Sequence, residues 1–98
     1  MSRLLFTPLA KSDLAEIWDY TVERWSLAQA ETYVREIDAA CHELAAGART
    51  STAIDDIRPG YRKAVTGKHV VFFTLSNAGD TVVIRILHQS RDVLRHLP

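Results

Sequence analysis

HVVFFTLSNAGDTVVIRILH, residues 69–88, decides the fold. Two runs rich in β-branched and aromatic residues flank Asn77-Ala78-Gly79-Asp80, a turn-forming tetrad, so the stretch reads as a β-hairpin. A four-residue loop at 77–80 sets Phe73 opposite Ile84, Phe72 opposite Arg85 and Val71 opposite Ile86. One face then carries Val71, Phe73, Leu75, Val82, Ile84 and Ile86, all apolar, and must be covered by another layer. The other face carries Val70, Phe72, Thr74, Val83, Arg85 and Leu87. That is too apolar for a face meant only for water, and it points to an interaction surface.

Upstream, Tyr61-Arg62-Lys63-Ala64-Val65 is a third strand, joined through Thr66-Gly67-Lys68. A three-residue loop at 66–68 with Gly67 in a bulge fits best, and it sets Arg62 opposite Phe72 in a row with Arg85. A two-residue loop at 66–67 sets Lys63 opposite Val70 instead. The three strands form an antiparallel meander.

Ahead of residue 48 the hydrophobic period becomes helical. Leu4-Leu5-Phe6 is a short first strand. Thr7-Pro8 opens a helix, with Thr7 as N-cap and proline at the first position, where its missing N–H costs nothing. Leu14, Ile17, Trp18, Thr21, Val22 and Trp25 make its apolar stripe, with Asp13, Glu16, Asp19 and Glu23 on the other side. Ser26-Leu27-Ala28-Gln29 is a capping box for a second helix, whose stripe runs through Ala30, Tyr33, Val34, Ile37, Cys41, Leu44 and Ala45 to Gly47. Two helices over 8–46 with almost no linker imply an antiparallel hairpin. Residues 48–60 read as a loop anchored by Ile54 and Ile57. The fold class is α+β, with the helices on the Val71/Phe73/Ile84/Ile86 face.

The length, 98 residues, is that of a single domain spanning 1–98. The 47% hydrophobic and 24% charged content is globular. One cysteine, no secretory pattern and no apolar run longer than VVFF point to a soluble cytoplasmic protein without a membrane segment. The net charge of zero divides unevenly. Residues 1–47 hold four basic and eight acidic side chains; residues 48–98 hold eight basic and four acidic. The basic half either suits an anionic partner, nucleic acid or an acidic protein surface, or is neutralised by the acidic half within the fold.

No glycine pattern matches a nucleotide-binding loop, and no cofactor is implied. Cys41 lies on an apolar stripe and reads as core. His69 and His88 face each other, but no thiol or carboxylate joins them as a metal set. The polar cluster His88-Gln89-Ser90-Arg91-Asp92 falls where the last strand ends. His88 as acid or base with Arg62, Arg85 and Arg91 on the phosphate could cleave a phosphodiester. The same side chains could equally form a docking surface, or simply solvate the strand end.

The order of elements, together with L-x-x-I-W-x-Y at 14–20, W-S-x-x-Q-A at 25–30, P-G-Y-R-K at 59–63, G-K-H-V-V-F-F at 67–73 and R-I-L-H-Q-S-R-D at 85–92, resembles the ParE/RelE superfamily of type II toxin–antitoxin toxins. The wording is nearer the ParE branch. That resemblance implies a toxin held inactive in a hetero-oligomer with a ParD-like antitoxin whose C-terminal segment wraps it. It implies DNA gyrase as the target, poisoned without catalysis by the toxin itself. Target contact would fall to Arg62, Arg85, His88 and Arg91, and antitoxin contact to Leu14, Trp18, Val70, Phe72 and Leu87. The alternative branch consists of ribosome-dependent messenger endoribonucleases, and here would use Arg62, Lys63, Arg85, His88 and Arg91. Lys63 matches a basic position of that branch, but Val70 stands where those nucleases carry an arginine. Direct nucleic-acid binding is left open by the resemblance.

Overall fold

The computed structural model describes residues 3–98. Its elements are β1 (Leu4–Phe6), α1 (Pro8–Arg24), α2 (Leu27–Ala45), β2 (Thr52–Ala53), β3 (Tyr61–Thr66), β4 (His69–Leu75), β5 (Thr81–His88) and α3 (Val93–His96). The helix starts form as their sequences require. Thr7 Oγ1 accepts the Ala10 N–H at 3.1 Å, and Ser26 Oγ accepts the Gln29 N–H at 3.0 Å.

The class is the expected α+β, and the sheet is larger than a meander. Five strands lie in the order β1-β5-β4-β3-β2. β1 runs parallel to β5, with Leu4 opposite Thr81 and Phe6 opposite Val83. β2 adds two residues to the outer edge of β3.

Two register expectations are corrected. The β3–β4 turn has only Gly67 and Lys68 at its tip, since Thr66 pairs with His69. Lys63 therefore faces Phe72 and Arg62 faces Phe73, so Lys63 takes the row position expected for Arg62. Gly67 adopts φ +59, a left-handed conformation suited to a two-residue hairpin turn, and the Tyr33 ring leaves no room for a side chain there. Between β4 and β5 the pairings Phe72–Arg85 and Val71–Ile86 hold, but a bulge follows and Phe73 faces Val83 instead of Ile84. The extra residue reverses the inward parity of β5, so that Val83 and Ile86 both enter the core. Leu75, expected inside, is exposed.

Two apolar clusters result. The larger lies between helices and sheet and includes Ala10, Ile17, Ile37, Cys41, Leu44, Val71, Phe73, Val83 and Ile86. The smaller lies on the opposite sheet face, where Ile54 and Leu97 cover Phe72 and Leu87, with Ile57, Tyr61, Val70 and Val93 packed around them. That face was expected to stand open. The chain covers it with its own 48–60 loop and its own C-terminal segment.

Candidate functional site

Arg85 is the most constrained of the expected site residues. Its Nε and Nη2 donate to Asp13 Oδ2 and Oδ1 at 2.9 and 2.7 Å, a two-pronged ion pair. Its Nη1 donates to the His96 carbonyl at 3.0 Å. Hydrogen bonding to Asp13 raises the Arg85 pKa, so the guanidinium stays charged. Asp13 is 5% exposed, although the sequence placed it on the solvent side of the helix. Its Oδ2 also accepts the Ile86 N–H at 2.9 Å. This follows from topology. β1 ends at Phe6, the hydroxyl and N–H of Thr7 serve the Ile84 and Val83 carbonyls, and the carboxylate then takes over as partner of the β5 edge.

Arg62 is likewise occupied. Its guanidinium donates to Ser51 Oγ at 2.8 Å and to the Ser51 carbonyl at 3.0 Å, which pins the loop before β2. Lys63 is exposed on the other face. Nearby Arg49 bonds Glu43 and the Val65 carbonyl, and an open groove of about 350 Å³ runs past Arg49, Ser51, Lys63 and Val65.

The two histidines do meet. His69 and His88 are directly opposite, with ring centres 5.3 Å apart in an edge-to-face arrangement. The Tyr33 hydroxyl accepts the Lys68 N–H at 3.1 Å and is bonded to His69 Nδ1. Burial, and secondarily the neighbouring His88, lowers the His69 pKa to about 4. Burial also raises that of Tyr33, so both are neutral at physiological pH. His88 Nδ1 accepts the Ser90 N–H at 3.1 Å and lies 2.8 Å from its hydroxyl. That bond places the proton of a neutral His88 ring on Nε2. Arg91 is exposed in the turn that follows.

The expected target-contact residues are thus separated. Arg62 and His88 lie toward the helical face, Arg85 is drawn between α1 and the C-terminal segment, and Arg91 lies beyond the strand end. Of the expected antitoxin contacts, Leu14 packs against the main core, Trp18 and Val70 are half-buried, and Phe72 and Leu87 are covered. Exposed large apolar side chains include Tyr20, Trp25 and Leu27 near the tip of the helical hairpin, with Arg24 stacked on the Tyr20 ring, and Leu9, Val65, Leu75 and Leu94 elsewhere. Trp25, expected on the inward stripe, is 74% exposed because α1 has already ended. Among the described residues no group of three or more His, Cys, Asp or Glu could hold a metal, and no helix is long and apolar enough to cross a membrane.

A helical hairpin lies on one face of a mixed five-stranded sheet, which makes the chain a small α+β protein. The family model for the ParE toxin of the type II toxin–antitoxin system parDE matches residues 4–93, and the chain belongs to that family. It is 47% identical over 96 residues to Toxin ParE1 of Mycobacterium tuberculosis, with 98% of each chain covered. It is 38% identical over 88 residues to Toxin ParE1 of Caulobacter vibrioides, with 90% of each covered. A solved structure described as the chromosomal ParDE TA system from P. aeruginosa shares the fold. The TM-score is 0.75 at 22% identity, covering 90% of this chain and 96% of that one.

Proposed function

We propose that this ParE-type toxin acts by binding DNA gyrase, without catalysis of its own, and that a ParD-like antitoxin neutralises it in a cytoplasmic complex. Membership of the ParE family across residues 4–93 carries the reading. The geometry supports binding over cleavage. A nuclease needs free cations around the scissile phosphate. Here Arg85 is spent on Asp13 and His96, Arg62 on Ser51, and Val70 stands in the middle strand. His88 and Arg91 at the end of β5, together with the C-terminal segment, are the proposed target-contact surface. Arg85 ties the C-terminal segment from behind through the His96 carbonyl, while Arg62 is held away from it at Ser51.

The antitoxin is assigned to the α1 flank at Leu14 and Trp18 and to the exposed hairpin tip. Phe72 and Leu87 lie under Ile54 and Leu97, which leaves half-buried Val70 as the reachable part of that expected contact.

The test is purified gyrase in a supercoiling and cleavage-complex assay, run beside a ribosomal messenger-cleavage assay. Inhibited supercoiling with intact messenger supports the reading. Site-specific messenger cleavage that disappears in His88→Ala, with supercoiling untouched, overturns it.

A further inference from the structure

Asp13 has no place in the surfaces just described, yet the fold retains a carboxylate there at 5% exposure. Burying an ion pair is seldom the cheapest way to stabilise a protein, since an apolar pair of similar volume often does as well. What the pair adds is geometry. Both prongs of the Asp13–Arg85 bond lie within 2.9 Å, and they fix the plane of the guanidinium. In that plane the remaining nitrogen, Nη1, reaches the carbonyl of His96. The C-terminal segment is otherwise held at its start by the Gln89 N–H on the Lys68 carbonyl and by Val93 packed on the same apolar cluster as Leu97. Leu97 is seated against Ile54, Phe72 and Leu87, and the Tyr61 hydroxyl bonds the Pro98 carbonyl at 3.3 Å. The chain from α1 to the C-terminal segment therefore runs through one carboxylate and one guanidinium.

We propose that Asp13 is a positioning residue that holds the C-terminal segment in its target-competent place by way of Arg85. The proposal rests on the reading above that this segment belongs to the target-contact surface. Asp13 neighbours Leu14 and lies on the helix assigned to the antitoxin. A partner that displaces α1 therefore also relaxes the C-terminal segment, without needing to cover it.

The test uses the full-length toxin and three variants: Asp13→Asn, Leu97→Ala and the double variant. Asparagine keeps the shape and can still accept the Ile86 N–H, but it gives up the charge that orients Arg85. Amide exchange at Leu97 is expected to quicken by about tenfold in Asp13→Asn, with Val71 and Phe73 in the core essentially unchanged. Growth inhibition is expected to fall in Asp13→Asn and in Leu97→Ala. The double variant is expected to be no weaker than Leu97→Ala, because both act through the same segment. Unchanged exchange at Leu97, or losses of inhibition that simply multiply, overturns the proposal. Full growth inhibition by Leu97→Ala instead removes the C-terminal segment from the target surface; the exchange result then still decides whether Asp13 holds it.

Discussion

Acid should weaken this fold through one ring. His69 lies where β4 begins, bonded through Nδ1 to the Tyr33 hydroxyl on α2 and flanked by His88 on β5. Its pKa falls from 6.5 to about 4, because burial disfavours the imidazolium and His88 adds repulsion, while Asp13 pulls weakly the other way. The unfolded chain therefore takes up a proton in a range where the folded chain does not. The His69 contribution to stability is present above pH 6.5 and is lost as the pH falls from 6.5 toward 4. Between pH 7 and pH 5 those two values correspond to about 2 kcal/mol. The ring is partly exposed, and solvent screening brings the expectation to about 1 kcal/mol. For a domain of this size that lowers Tm by about 4–8 °C. The measurement is thermal denaturation followed by circular dichroism at pH 7, 6 and 5, for the natural chain and for His69→Gln. Glutamine does not titrate, so the difference between the two chains isolates His69 from carboxylates and other histidines. If His69→Gln loses Tm as steeply as the natural chain, the argument from burial and the paired histidine fails.

Gly67→Ala should cost about 1–3 kcal/mol, since a Cβ there would lie 2.7 Å from Tyr33 Cε1 and the backbone has φ +59. Chemical denaturation checks it, and Tyr33→Ala should recover part of the loss in the double variant. Asp13→Ala should cost about 3 kcal/mol, read from the same denaturation curves, because it strands Arg85 and the Ile86 N–H together. Trp25→Ala should stay within about 0.5 kcal/mol of the natural chain in stability, being 74% exposed. It should weaken antitoxin binding in a titration if the hairpin tip is the proposed contact.

The helices were legible because their signals are local. Thr7, Pro8, Ser26 and Gln29 announce the starts, and the stripe of α2 matches its buried side. The β4–β5 register was legible as far as Phe72, where turn length and alternation agree. Beyond it, Val82, Val83, Ile84, Arg85 and Ile86 offer apolar residues at both parities, so nothing marked Ile84 as the bulged residue. A one-residue difference in the turn at Gly67 likewise exchanged Arg62 for Lys63. β2, at two residues, is too short to carry a pattern.

The spacing around Asp13 marks it as inward-facing. Asp13 follows Ala10 by three and precedes Ile17 by four, so it belongs to the buried face with Thr21, and a carboxylate there demands a partner. That the partner is Arg85, 72 positions away, no local pattern could give. Residues that look alike as free cations in the sequence differ in the fold. Arg85 and Arg62 are structural clasps in the folded chain, while Lys63 and Arg91 are exposed.

The placement of β5 between β1 and β4 also sets an order of events at the ribosome. Synthesis runs from the N-terminus, and the helical hairpin, built from local contacts, can form as soon as residues 8–45 emerge. The sheet has to wait. β1 has no strand neighbour until Thr81 onward has been made, and the cover over Phe72 is incomplete until Leu97 arrives. A nascent chain is therefore without its finished surface for almost its whole length. The first folded piece it shows to a partner nearby is the one assigned here to the antitoxin.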